Sequence, residues 1–337
     1  MKTLGLKAHR RARPDTSGHE LFPLPGFRPI TKSAISPHGE QVDLLSIGWV
    51  ERHGMIVRTD QLERLRGARL GLLAARCHPD ARPEALQIIS DWNLWLFSLD
   101  DGYCDESDFG ARPGAMARMA ARLMRIVDAP YDDLPAGAGR CAEALRDLRC
   151  RLGEFASPIQ LQRWTAAVHD YLFGIVWEAA NRAECGVPSV ADYVHMRRMA
   201  GAIVSCLALV DVAIGVEVSA ADWAGQGVRD LTRMAANLIG WDNDVFSYRK
   251  ELADHGAMHN LVTVIAREQR CSLRTAVERA IALRNDEVEA FLALEAEIRP
   301  TADGALRGYV DGLKQWVQGF LDYAQASSRY ALPATLV

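Results

Sequence analysis

The sequence predicts a single all-α domain, and three observations predict it. Apolar residues recur with a period near 3.6 in one block after another. No block alternates with period two, and no Asn-Gly or Asp-Gly pair joins β-branched runs as a hairpin would. Pro79, Pro83, Pro113, Pro130, Pro135, Pro158, Pro188 and Pro300 fall between blocks or in first turns, where a missing N–H is tolerated.

Residues 1–40 are rich in Pro, Gly and His and read as an irregular N-terminal arm. Helical blocks then follow at 42–54, 59–76, 83–101, 113–127, 139–154, 158–183, 189–215, 220–253, 259–269, 273–298 and 303–329. Ser189 can cap the block that follows it. Asp192 stands three residues on, where a capping box usually has Glu or Gln. With no internal repeat and no low-complexity linker, residues 41–330 form one helical domain, and 331–337 a C-terminal tail.

Apolar residues make up 49% of the 337, enough for a large core, and the net charge of −4 gives no reason to expect a nucleic-acid partner. The basic run Lys7–Arg13 is short and reads as a solvated tail. It has no apolar stretch behind it, so no signal peptide is expected. Seven scattered cysteines with no C-x-x-C pair suit a reducing cytoplasm and argue against a zinc or thioredoxin-like site. The apolar run Ala200–Val216 is too short for a membrane span and is broken by Asp211; it reads as a buried central helix, with no membrane partner.

Two polar clusters carry the chemistry. Residues 91–106 read DWNLWLFSLDDGYCDE, an aromatic helix ending in Asp100, Asp101, Asp105 and Glu106. At about 100° per residue Asp101 and Asp105 share a face, with the other two flanking. Four acids so close repel one another unless a cation sits among them, and they oppose the helix dipole. Magnesium, which takes carboxylates together with phosphate oxygens, is the natural cation. Residues 241–251 read WDNDVFSYRKE. Asn243, Ser247 and Glu251 are spaced i, i+4, i+8, so three oxygen ligands run down one helix face. Lys250 projects within about 20° of Asn243 and suits an anion held on that metal. Asn and Ser are poor helix-interior residues, so their placement there calls for a reason.

Together the clusters resemble the two metal motifs of bacterial class I terpene synthases. DDGYCDE is similar to that family's aspartate-rich motif, and Asn243–Asp244–x–x–Ser247–x–x–Lys250–Glu251 to its N-D-x-x-S-x-x-(R/K)-E motif. The resemblance spans about residues 40–330. It implies a single-domain α-helical bundle around a central apolar cavity, and an isoprenoid diphosphate substrate. Three Mg2+ ions are implied, replaceable by Mn2+: Asp100, Asp101 and Asp105 would hold two, and Asn243, Ser247 and Glu251 the third. It also implies a diphosphate-sensing arginine 46 positions before Asn243, which is Arg197, and an effector carbonyl at a helix break at Gly201. Lys250 and the terminal pair Arg329–Tyr330 would complete the diphosphate site. Where the family often has a tryptophan, this chain has Tyr323.

Guiding an allylic cation requires an apolar pocket with aromatic faces. Phe97, one turn before Asp101, is the leading candidate, followed by Trp92, Phe173, Trp177, Trp316, Phe320 and Tyr323. The expected reaction is ionisation and cyclisation of an isoprenoid diphosphate, C15 farnesyl diphosphate first, with C20 or C10 and methylated C10 substrates as alternatives. A homodimer is compatible with this reading. Chain-elongating prenyltransferases carry two aspartate-rich motifs, which the Asn/Ser/Glu cluster does not match. A non-catalytic helical binding protein leaves the coincidence of six metal-type ligands with basic groups unexplained.

Overall fold

A computed structural model of the chain describes residues 26–56, 58–100, 102, 108–134, 137–184, 186–254 and 258–330. Asp101 and Asp105 lie outside these residues. The described residues form helices and contain no strand. In order they are α1 (Gly39–His53), α2 (Thr59–Ala68), α3 (Leu70–Cys77), α4 (Pro83–Leu99), α5 (Pro113–Asp128), α6 (Arg140–Phe155), α7 (Pro158–Glu184) and α8 (Val190–Ala200). The short α9 (Ile203–Leu207), α10 (Val210–Ala213) and α11 (Ala220–Ala224) precede the long α12 (Gln226–Asp254). Then come α13 (Leu261–Glu268), α14 (Leu273–Ile298) and α15 (Gly304–Ala326), and a 3₁₀ turn at Ser328–Tyr330 closes the described chain.

Several helices start where a side chain accepts from an orphan N–H group. The Ser189 hydroxyl accepts from the Asp192 amide, Ser272 from Thr275, and Asp303 from Leu306. The block 59–76 is two helices, because Arg69 takes a left-handed conformation (φ 54°) and ends the first. Arg69 is held there by ion pairs to Glu40 and Asp43.

The run from Ala200 to Val216 is mostly buried, with Gly215 and Val216 exposed, and it is not one helix. It packs as α9 against α7 and α12, and as α10 against α4 and α15. The break before it lies at Gly201–Ala202, and Ala202 has φ 56°. A left-handed alanine costs roughly 1–2 kcal/mol, so the packing around α8 and α9 imposes the break against local preference. Ala202→Gly is expected to raise stability by about 0.5–1 kcal/mol, read as a higher thermal midpoint; a fall in the midpoint contradicts the strain. Asp211, the polar interruption of this run, is fully buried and sits 3.3 Å from Arg163 Nη1. Among the described residues no helix is long and apolar enough to cross a membrane.

Close approaches set the remaining geometry. A Cβ on Gly174 of α7 would stand 2.5 Å from the Ala200 backbone nitrogen, so glycine there lets α7 press on the end of α8. On the outer side of α12, Asp242 and Arg284 of α14 form a bidentate pair (2.9 and 3.2 Å) with relative exposures of 0% and 1%. The N-terminal segment is tied to the same place. The Arg284 guanidinium also donates to the Arg28 carbonyl, Asn285 brackets residues 26–28, and Gln318 accepts from the Ile30 amide. Residues 26–30 are therefore irregular but anchored.

Candidate active site

Three motifs far apart in sequence meet at one point. Arg197 is the last-turn arginine of α8. Its Nη2 donates to Asn243 Oδ1 at 2.6 Å, and its Nε to Asp244 Oδ1 at 2.8 Å. From the other side, Asn243 Nδ2 donates to the Tyr330 hydroxyl at 2.9 Å. The chain α8–α12–C-terminus is thus closed by the amide of Asn243. Burial opposes the charge on Arg197, but Asp244 beside it outweighs that and holds the guanidinium protonated well beyond its ordinary range.

Lower on α12, the Ser247 hydroxyl donates to Glu251, whose second oxygen accepts from Asn260 Nδ2 at 3.0 Å. Burial, and next the Asp244 carboxylate, push the Glu251 carboxyl up to about 7, against the pull of Ser247, Asn260 and Arg197. A divalent cation on this face would reverse that by holding the acid ionised, so the donor set of amide, hydroxyl and carboxylate oxygens fits Mg2+. Asp100 is half-buried at the end of α4, and Lys250 is half-buried beside Glu251.

Gly201 ends α8 as expected. A Cβ there would come within 2.8 Å of Arg197 Nη1 and 2.9 Å of its carbonyl. Gly201→Ala is therefore expected to displace the guanidinium and lower kcat/KM by about tenfold or more while the protein stays folded. An unchanged rate constant in steady-state kinetics contradicts that placement.

The C-terminal pair joins this site to α4. The Arg329 guanidinium lies 4.4 Å from the centre of the Phe97 ring. Tyr330 sits in an aromatic collar of Phe246, Tyr323 and Phe320, with centroids 6.1, 6.3 and 6.5 Å away. Burial, the largest effect, pushes its hydroxyl up to about 12, so Tyr330 is a neutral donor. Phe97, Phe320 and Tyr323 therefore gather around the terminal Arg-Tyr pair. Trp92 is deep in the core, stacked on Trp95 at 5.1 Å and edge-on to Trp164 at 5.0 Å. Trp316 is also buried, its indole donating to His78 at 3.0 Å.

One cavity candidate is corrected. Phe173 is 57% exposed and lies on the solvent stripe of α7 with Gln162, Ala166 and Asp170. It is nine residues from the inward Trp164, about half a turn round the wheel, so it faces outward. Trp177 is half-buried, packed against the core cluster of Tyr193 and Met196 and 5.9 Å from the exposed His195 ring. Aromatic identity marked Phe173, but helical phase decides where it points.

Some residues of the site carried no assigned role in the sequence. Asp244 accepts from Arg197, from the Tyr193 hydroxyl (2.7 Å) and from the Leu261 amide (3.2 Å). Asn260 caps α13 through Val262 while reaching both Glu251 and the Asp244 carbonyl. An Asn before an apolar run is a legible cap signal; its second duty is not. Glu178 of α7 pairs with Arg182 at 3.2 Å and faces His259 at 3.8 Å. Burial opposes its charge, yet those two groups and Arg197 lower its pKa.

Known proteins are similar to this chain in sequence and fold. The family described as "Terpene synthase family 2, C-terminal metal binding" matches residues 91–290. The 4-epi-cubebol synthase ((2E,6E)-farnesyl diphosphate cyclizing) of Streptosporangium roseum is 37% identical over 313 residues, covering 92% of each chain. The (+)-T-muurolol synthase ((2E,6E)-farnesyl diphosphate cyclizing) of Roseiflexus castenholzii is 38% identical, covering 88% of this chain and 91% of that one. Among solved structures, the SVS_A2 protein from ancestral sequence reconstruction superposes with a TM-score of 0.83 at 28% identity, over 89% of this chain and 90% of its own. A 2-methylisoborneol synthase from Streptomyces coelicolor, crystallised with Mg2+ and 2-fluoroneryl diphosphate, shares the fold at 23% identity with a TM-score of 0.83, over 92% of this chain and 98% of its own. The chain therefore belongs to the class I terpene synthases, in the family with the C-terminal metal-binding domain.

Proposed function

We propose that this terpene synthase ionises C15 farnesyl diphosphate in the presence of Mg2+ and cyclises the cation, releasing diphosphate. The observation that carries this reading is the Arg197–Asn243–Tyr330 chain of hydrogen bonds. It places a cation, a metal-type ligand and a neutral donor at one end of an apolar helical interior, where a diphosphate would be gripped. Farnesyl diphosphate is favoured over shorter and longer substrates because the relatives at 37% and 38% identity are named as cyclising it.

Asn243, Ser247 and Glu251 would hold one ion; Asp100, Asp101 and Asp105 are assigned to two more. When bound, the ions neutralise charge on the leaving group. The chain's own groups do the rest. Arg197, Lys250, Arg329 and Tyr330 bind and orient the diphosphate. Phe97, Phe320 and Tyr323 keep water from the nascent cation and offer it π-faces. Mn2+ is expected to substitute for Mg2+, both being hard cations with oxygen preference.

Incubation with C10, C15 and C20 diphosphates, followed by gas chromatography–mass spectrometry, tests this. The expected result is a cyclic product from the C15 substrate that disappears with EDTA and returns with Mg2+. A preference for another chain length overturns the substrate; activity that survives EDTA overturns the metal assignment.

A further inference from the structure

Asn93 is a polar group of α4 whose placement neither the metal motif nor the core explains. It lies seven residues before Asp100, so it projects within about 20° of that acid and about 10 Å deeper along the helix. It is 2% exposed, and its Nδ2 has no hydrogen-bond partner. Its other arm is committed: the Cys206 thiol on α9 donates to Asn93 Oδ1 at 3.7 Å. With Oδ1 turned to Cys206, the NH2 is left unsatisfied. A buried amide without a partner is unfavourable, so its presence in an apolar interior calls for a ligand. Ile203 and Leu207 on the same short helix and Leu96 on α4 are apolar and buried, so the amide stands in an otherwise oily region.

We propose that Asn93 holds a water molecule that captures the carbocation, so that the product is a terpene alcohol. This rests on the cyclisation reading above and specifies its last step. Asn93 Nδ2–H donates to the water oxygen, which keeps a lone pair for the cationic carbon. A C–O bond forms, the resulting oxonium loses one proton to an oxygen of the released diphosphate, and the neutral alcohol remains. Without that water the cation ends by losing a C–H proton to the same acceptor, giving a hydrocarbon. The amide is suited to this place because it carries no charge to collapse onto the cation and no basic lone pair to remove a proton early.

Two indole N–H groups, of Trp92 and Trp164, are also buried without partners. Among the described residues only Asn93 combines that condition with the helix face that carries Asp100, which sets the control.

The test is product analysis in water enriched with oxygen-18, for the wild-type enzyme and for Asn93→Leu, Asn93→Ser, Cys206→Val and Trp164→Phe. The wild-type enzyme is expected to give a labelled alcohol as main product. In Asn93→Leu the ratio of alcohol to hydrocarbon falls at least tenfold; Asn93→Ser, which keeps a donor, recovers part of it. Cys206→Val, which frees the amide to rotate, lowers the ratio by several-fold and keeps the proposal testable if Asn93→Leu does not fold. Trp164→Phe leaves the ratio within twofold. A wild-type hydrocarbon product, an unlabelled alcohol, or an unchanged ratio in both Asn93→Leu and Cys206→Val overturns the role of Asn93 while leaving diphosphate ionisation intact. A wild-type enzyme that releases no diphosphate in a phosphate-release assay overturns both.

Discussion

Asn243→Ala is expected to lower kcat/KM by about 10³-fold or more while the protein remains folded. The amide is at once the proposed metal ligand and the link between Arg197 and Tyr330, which it meets at 2.6 and 2.9 Å. Removing a single preorganised group of this kind costs roughly 10²–10³ in rate, and here two diphosphate donors lose their orientation with it. Stability moves little by comparison. Two hydrogen bonds are lost at about 1 kcal/mol each, and alanine is the better helix former by about 0.5 kcal/mol. Steady-state kinetics beside a thermal melt separates the two effects. Activity within tenfold of wild type would sink the assignment of Asn243 to the metal.

Breaking the Asp242–Arg284 pair is expected to have the largest effect on stability. Asp242→Asn leaves the Arg284 guanidinium buried at 1% exposure opposite a neutral amide. Uncompensated charges of this kind cost roughly 3–5 kcal/mol. At about 2–4 °C per kcal/mol for a larger domain, the midpoint should fall by about 6–20 °C. The Asp242→Leu, Arg284→Met double variant should recover much of the loss, because the penalty comes from the orphaned charge rather than from the missing attraction. Differential scanning calorimetry measures both. A single variant within 2 °C of wild type would show that water or another group compensates the arginine. The loss should be accompanied by loosening of residues 26–30, since Arg284 holds the Arg28 carbonyl and lies over the Phe27 ring.

Adjacent residues on one helix thus serve different ends. Asp242 locks α12 to α14, Asn243 links Arg197 to Tyr330, and Asp244 holds Arg197, Tyr193 and the start of α13. The 100° step of the helix turns each side chain to a different neighbour. A substitution at 242 or 244 should act through stability or the aim of Arg197, whereas one at 243 acts on the chemistry.

Helicity, the starts of most helices and a line of oxygen-bearing side chains down one face of α12 can be read from the chain alone. Those features are local: apolar period, caps and i, i+4 spacing need no knowledge of distant residues. Arg197, Gly201, Arg329 and Tyr330 were legible only through resemblance, because nothing in a lone arginine or an Arg-Tyr pair announces its partners. The break after Gly201 was read, but not that Ala202 would be forced left-handed, nor that the central run would become α9 and α10. Packing between distant helices was needed to show that Phe173 faces outward, that Asn260 serves Glu251 from α13, and that the Asn93 amide is buried with one arm unpaired. Each depends on which helix lies opposite, and that is settled by packing between residues tens to hundreds of positions apart, where sequence periodicity carries no information.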